Sequence, residues 1–212
     1  MTPKQNAYAI TAKAIIQNLE KRNMEGFYCP DKETLVQTIM PMLSKGASIA
    51  YGGSESFKES GMLSAIEQDG SFHIIDRLKA TTDEERRKVF GETAMCDYFF
   101  MSTNAITLDG ELVNIDGNGN RVAALIHGPA HVFIITGMNK VTADVKEGVK
   151  RTRVQACPPN GVRLNKNIPC ALTGRCGDCL ADDCFCNQIV ITRRSGHKGR
   201  IKVFLVGEEL GF

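Results

Sequence analysis

Five thiols fall within seventeen residues, as Cys170-x5-Cys176-x2-Cys179-x4-Cys184-x-Cys186. So dense a group suits a metal ion, an iron–sulfur cluster or a set of disulfides. Cys176-x-x-Cys179 brings two sulfurs to one centre through a turn eased by Gly177, and a tetrahedral site needs two more. Cys170, Cys184, Cys186 and the more distant Cys157 are the candidates. Zinc in a closed four-thiolate site is structural, whereas a 4Fe-4S iron–sulfur cluster uses the same number of thiolates to transfer electrons. Spacing leaves both open. Cys184 and Cys186 are one residue apart and cannot both reach one tetrahedral ion without strain. Cys29 and Cys96 stand alone, and Cys96 reads as a small buried hydrophobe.

A second group of residues suits an anionic ligand. Gly52-Gly53-Ser54 lies between a short apolar run and an amphipathic stretch, where a strand end meets a helix start. Glycines there free backbone N–H groups to face an anion, and Ser54 and Ser56 offer hydroxyls; the bland alternative is a tight turn with a serine cap. The segment is neither a P-loop nor a Gly-x-Gly-x-x-Gly fingerprint. Asn104, Thr107 and Asp109 follow a second strand, Asn104 with both a donor and an acceptor and Asp109 as a general base if buried. Asp109-Gly110 equally suits a plain turn. Glu59 is a further carboxylate candidate, four residues after Glu55. Asn118 and Arg121 close a Gly-rich turn, with Arg121 placed to anchor a carboxylate or phosphate. His127 and His131 fit no ligand spacing.

The elements that must position these residues alternate along the chain. Thr2-Pro3 starts a helix whose apolar face is Ala7, Ile10, Ala14, Ile15 and Leu19. Asp31 caps a second helix kinked at Pro41. Strands are expected at Ser48–Tyr51, Phe72–Ile75, Tyr98–Ser102, Glu111–Ile115 and His131–Thr136. Helices are expected at Ser56–Glu67, Asp83–Ala94, Arg121–Ile126 and Thr142–Gln155, the last capped by Thr142. Gln188–Thr192 and Ile201–Val206, joined by a Gly-containing stretch, have the spacing of a hairpin. Strands separated by helices predict an α/β fold with a mainly parallel sheet covered on both faces. The 212 residues are expected to form one domain, with N-terminal helices over 1–45 and a cysteine-rich loop over 157–187 as an appendage.

Net charge is +2, so no nucleic-acid partner is expected. Residues 151–200 nevertheless carry nine Lys/Arg against three acids, or +6, leaving −4 for the rest. No apolar stretch approaches the roughly 20 residues that cross a bilayer. Residues 2–22 lack the apolar core of a signal peptide, which points to a cytoplasmic protein with reduced thiols.

These features together resemble the LUD domain, the lactate-utilisation family also known as DUF162. The family's Gly-Gly-Ser-x-Thr-Leu-x-Glu-x-Gly pattern is matched by Gly52-Gly53-Ser54-Glu55-Ser56-Phe57-Lys58-Glu59-Ser60-Gly61, with Ser56 for Thr and Phe57 for Leu. Asn104 to Gly110, Asn114 to Ala123, Gly128-Pro129 and Gly137-x-Asn139-Lys140 are similar to its central motifs. Pro169-Cys170-x-x-Thr173-Gly174-x-Cys176-x-Asp178-Cys179, Cys186-Asn187 and Gly199 to Val203 are similar to its tail. The resemblance implies Cys170, Cys176, Cys179 and Cys186 as metal ligands, with Cys184 as an extra thiol and a substitute. Cys157 stands where similar chains commonly carry Ala. The implied architecture is that of ribose-phosphate isomerases and CoA-transferases (NagB/RpiA-like), with a pocket at the strand ends. The implied role is an accessory or redox component of lactate utilisation, binding a small anionic or carboxylate ligand and working with iron–sulfur protein partners. Two other roles are an isomerase or acyl-CoA-transferase-like enzyme with structural zinc, using Asp109 or Glu59, and a non-catalytic binding protein pinned by its metal.

Overall fold

A computed structural model describes residues 2–212. In chain order its elements are α1 (Pro3–Lys21), β1 (Glu25–Cys29), α2 (Lys32–Ile39), β2 (Ser48–Tyr51), α3 (Glu55–Glu59), α4 (Met62–Asp69), β3 (His73–Ile75), α5 (Asp83–Ala94), β4 (Tyr98–Met101), β5 (Ala105–Thr107) and β6 (Leu112–Asp116). They continue with α6 (Asn120–Ile126), β7 (His131–Gly137), β8 (Val141–Thr142), α7 (Val145–Arg151), α8 (Cys157–Arg163), α9 (Pro169–Thr173), β9 (Gln188–Thr192) and β10 (Ile201–Val206). No helix among the described residues is long and apolar enough to cross a membrane.

The main sheet has six strands in the order β1-β10-β7-β4-β2-β3, all parallel. Side chains alternate between its faces. Phe99, Met101, Val132, Ile134, Val203 and Leu205 point to one core with Ala12, Ile15 and Leu19 of α1 and Leu125 of α6. Phe100, Phe133, Ile135, Phe204 and Val206 point to the other, against Leu35 and Ile39 of α2, Phe57 of α3 and Met62 and Ile66 of α4. Helices therefore cover both faces, as the alternation predicts. A second sheet, β8-β5-β6-β9, is mixed and joins the first core through Ile106 and Leu112.

Several local expectations differ from the structure. β9 and β10 do not form a hairpin: β9 pairs antiparallel with β6, while β10 inserts between β1 and β7 of the main sheet. The burial of β10 gives the reason. Five of its six residues are buried, as a strand covered on both faces requires, whereas β9 is exposed or half-exposed throughout and suits an edge. The N-terminal region also contains a strand, β1, between its helices. The apolar face of α1 is Ala12, Ile15 and Leu19, whereas Ile10 is 73% exposed.

The expected helix after Ser56 is two helices, α3 and α4, separated at Gly61, whose φ of +76° breaks the first. The helix after residue 142 is capped by Asp144, not Thr142. It then runs through a wide π turn, Thr152–Ala156, directly into α8. Here the Cys157 N–H donates to Thr152 O, five residues back. Pro158 and Pro159 follow without N–H donors, so they cannot restore the normal ladder at once. The cysteine-rich segment thus begins as helix.

Candidate functional site

The carboxyl ends of β2, β4 and β7 converge on a cavity of about 530 Å3. Open parallel sheets place ligands there because successive loops diverge at the strand ends. The β2 end supplies Gly53, Ser54 and Ser56, the β4 end Ser102, Thr103 and Asn104, and the turn after β7 supplies Lys140. The second sheet adds Asp116 and Asn118, and α6 adds Arg121. Cys157, Asn160, Arg163, Cys184 and Phe185 of the cysteine-rich segment form the facing wall.

Close approach favours glycine at the β2 end, more at Gly52, which faces the pinned Arg121, than at Gly53, which faces only the free end of Arg77. A Cβ on Gly52 would lie 3.3 Å from Arg121 Cδ, and one on Gly53 would lie 2.5 Å from Arg77 Nη2. Ser54 caps α3 by accepting from Phe57 N at 3.2 Å. Thr103 Oγ1 lies 2.8 Å from Ala105 O and 3.0 Å from Val113 O, pinning the chain where it passes between the sheets.

Arg121 is the frame of the site. Its Nη1 donates to Ser102 O at 3.1 Å and to Asn114 Oδ1. Its Nη2 donates to Ile115 O at 2.9 Å and Asn104 Oδ1 at 3.1 Å, and its Nε faces Asp116 Oδ2 at 3.3 Å. Four hydrogen bonds from its two Nη groups and an ion pair at Nε tie the guanidinium to the protein. Arg121 therefore holds β4, β6 and the Asn104 loop together, and Asn104 is pinned through its carbonyl oxygen, which also accepts from Ile115 N at 2.9 Å.

Lys140 lies at the floor, 4% exposed. Its Nζ donates to Ser56 Oγ at 2.7 Å and to Ser102 Oγ at 3.2 Å, with both serines buried. No carboxylate among the described residues forms a salt bridge with it. Burial pushes its pKa down to about 7, helped by Arg151 and Arg121 and opposed by Glu59.

Neither carboxylate expected to act lines the cavity. Asp109 is exposed on the β5–β6 turn, in a separate cleft with Asn18, Lys21, Arg22, Arg193 and Arg194. The strand Ala105–Thr107 carries it away from the β4 end, and Gly110, at φ +85°, completes a plain turn. Thr107 belongs to the same turn, where its hydroxyl donates to Glu111 Oε2 at 3.0 Å. Glu59 is exposed and accepts from Gly211 N at 2.6 Å. Gly52, Gly53, Ser54, Ser56, Asn104, Asn118 and Arg121 do come together. Lys140 is not legible from residue type and spacing alone. The available signal was a lysine four residues beyond the end of the long apolar run 132–136, close to a strand's carboxyl end.

All eight cysteines are free. Cys29 and Cys96 lie in the two cores, where burial pushes both thiols up, Cys96 to about 11. The other six lie on 157–186. Cys157 Sγ and Cys186 Sγ are 3.6 Å apart, and Cys184 Sγ accepts from Cys186 N at 3.4 Å. Cys157, Cys170 and Cys186 share a small apolar cluster with Ile168 and Phe185. Cys176 opens onto a different groove beside Lys150 and Arg153. As placed, no three His, Cys, Asp or Glu side chains among the described residues converge to hold an ion. The donor set nevertheless suits a thiophilic metal. Bonds of ~2.3 Å to tetrahedral zinc set sulfurs about 3.8 Å apart, close to the Cys157–Cys186 separation.

A family model described as the LUD domain matches residues 12–206. Among solved structures, the chain is similar to a DUF162 family protein from Deinococcus radiodurans, determined at 1.70 Å. The two share 14% identity, with 94% of this chain and 98% of that one covered and a TM-score of 0.54. No curated protein matches the chain.

Proposed function

The chain belongs to the LUD domain family, and on that premise we propose that it is a component of lactate utilisation that binds a small carboxylate at the strand-end cavity. The carrying observation is Lys140, a buried amine between two serine hydroxyls with no carboxylate paired to it. A buried ammonium without a counter-ion is costly, and an anionic ligand removes that cost. Ser56 and Ser102 add hydroxyls around it, Ser54 lines the same cavity, and Arg77 adds positive potential at the rim, where Arg163 is paired with Glu55. A phosphate-bearing ligand meets the same chemistry. Calorimetric titration with L-lactate, pyruvate and inorganic phosphate separates these. One of the carboxylates is expected to bind more tightly at pH 6 than at pH 9, because only the ammonium form attracts it. Lys140→Met is expected to weaken binding at least about tenfold, one charge-assisted hydrogen bond being worth ~1.5–3 kcal/mol. Unchanged affinity in that variant, or no carboxylate binding at all, overturns the reading.

A second reading concerns the thiols and rests on the 3.6 Å approach of Cys157 and Cys186. The six thiols of 157–186 hold one inorganic centre, with Cys157 and Cys186 as one pair of ligands and Cys170, Cys176, Cys179 and Cys184 as the source of the rest. An iron–sulfur centre would supply electron transfer and make iron–sulfur proteins the natural partners. Zinc would only fix the wall of the cavity. Anaerobically purified protein is expected to be brown, with absorption near ~400 nm for iron–sulfur charge transfer, or colourless with one zinc per chain. Cys186→Ser is expected to release the metal and lower the melting temperature. Protein that stays metal-free after anaerobic reconstitution with iron and sulfide, and with zinc, overturns this reading.

A further inference from the structure

Ser56 and Lys140 do more than line a binding site. Lys140 Nζ lies 2.7 Å from Ser56 Oγ, within reach for direct proton transfer, and Ser102 Oγ at 3.2 Å fixes the amine on its other side. Both serines line the cavity, although they are nearly inaccessible from bulk water and Ser56 Oγ also packs against Gly211. The Ser56 hydroxyl donates to Leu210 O at 3.2 Å while its oxygen accepts from Lys140, so its position is held from two directions and its proton must turn from the carbonyl to a neutral Lys140. Ser102 is held in turn at Thr103 O, 3.3 Å away. A serine whose oxygen meets a buried, oriented amine is the arrangement of a nucleophile with its general base.

We propose that Ser56 is a nucleophile and Lys140 its general base, and that the substrate is a thioester or oxyester of the small acid bound in the same cavity. The inference rests on the carboxylate-binding reading, since the acid becomes the product of the reaction. Neutral Lys140 takes the Ser56 proton as Ser56 Oγ bonds to the substrate carbonyl carbon. The bond from that carbon to the leaving sulfur or oxygen breaks, and the Lys140 ammonium returns the proton to the leaving thiolate or alkoxide. Water then attacks the acyl-Ser56 ester and gives its proton to Lys140. The carbon–Oγ bond breaks as the Lys140 ammonium returns that proton to Ser56 Oγ; the acid so formed passes its own proton to Lys140, and the carboxylate leaves the ammonium, which then gives the proton to solvent. The net change is ester plus water to acid plus thiol or alcohol. Burial, with Arg151 of α7 and Arg121 of α6, favours the neutral amine, Glu59 of α3 opposes them, and the neutral base is populated at pH 7. A free amine accepts the proton during acylation, and the ammonium form holds the product carboxylate. Both states are used in one cycle.

The test uses an aryl fluorophosphonate, which phosphonylates activated serine hydroxyls, followed by intact mass and peptide mapping of the full chain. One adduct is expected, on Ser56, forming at a rate that rises with pH to a plateau with its midpoint near 7. Ser56→Ala abolishes it. Lys140→Arg keeps a cation but removes the base, so it is expected to cut the labelling rate at least ~100-fold. Should that variant fold poorly by circular dichroism, Ser102→Ala, which removes only a positioning group, is expected to slow labelling and move the midpoint of the pH profile. Absence of an adduct on Ser56, or a labelling rate indifferent to both pH and Lys140→Arg, overturns the nucleophile. Carboxylate binding without labelling removes the acyl step alone, and labelling without carboxylate binding removes the assignment of the acid.

Discussion

Lys140→Met will remove most of the rise in folding stability that the wild-type protein shows between pH 7 and 10.5. The ordinary lysine value of 10.5 applies in the unfolded chain, and burial brings it down to about 7 in the folded one. Between these values the unfolded state binds more protons, so stability rises with pH across that window. Below about pH 7 both states are protonated, and the folded protein bears the whole cost of an ammonium at the cavity floor. That cost is at most about 5 kcal/mol, from ~1.4 kcal/mol for each pH unit between the two values. Methionine removes it but leaves Ser56 Oγ and Ser102 Oγ without the lysine donor, a loss of about 1 kcal/mol each. The variant should therefore be more stable than wild type by a few kcal/mol at pH 6 and no more stable by pH 10.5. Urea unfolding at a series of pH values measures both curves, and parallel curves for the two proteins would show that Lys140 is not held neutral by its surroundings. A stability gain from deleting a polar side chain is the mark of a residue kept for function rather than folding.

Arg121→Ala should have the opposite consequence. The side chain is held on five sides, by Ser102 O, Asn114 Oδ1, Asn104 Oδ1, Ile115 O and Asp116 Oδ2. Truncation removes a donor from Ser102 O, Asn114 Oδ1 and Ile115 O, leaves Asn104 Oδ1 with Ile115 N alone, and leaves Asp116, 9% exposed, without its ion pair. Removing one partner from such a buried, hydrogen-bonded charge costs about 3–5 kcal/mol. For a chain of this size that is on the order of 10 °C in melting temperature. Arg121→Lys should recover little, because an ammonium has three donors on a flexible stem and cannot span acceptors arranged around a planar fork. Denaturant midpoints for wild type and both variants check this. A lysine variant within about 1 kcal/mol of wild type would mean that the charge matters and the fork geometry does not. The carboxylate affinity of Arg121→Lys should also fall, since Arg121 holds the Ser102 carbonyl and Asn104 in place through its Nη groups.

The two residues differ in how far they could be read from the chain. Arg121 follows a Gly-rich turn after an apolar run, so its place at a strand end is legible from spacing, and the structure puts it there. Its role is not legible, because whether a guanidinium faces a ligand or the protein depends on acceptors from β4, β5 and β6 that are up to 19 residues away in sequence. Asp109 shows the reverse error. It follows a strand in sequence, but the short strand Ala105–Thr107 intervenes and directs the turn away from the cavity. The β9–β10 pair fails for a related reason. Loop length permits a hairpin, yet the number of buried faces decides which sheet a strand joins, and β10 is apolar on both.

The period of apolar residues and the glycine-bearing strand ends were sufficient, before any coordinates, to establish a parallel α/β sheet, its two covering layers and the loop at Gly52-Gly53-Ser54. Local chain geometry governs those features, and local chain geometry is written in adjacent residues. The meeting of Lys140 with Ser56 and Ser102, 84 and 38 residues away, depended on folding. So did the approach of Cys157 to Cys186 across 29 residues. Strand order brings these groups together and excludes water from around them, and neither strand order nor exclusion of water is encoded in the spacing of any single segment.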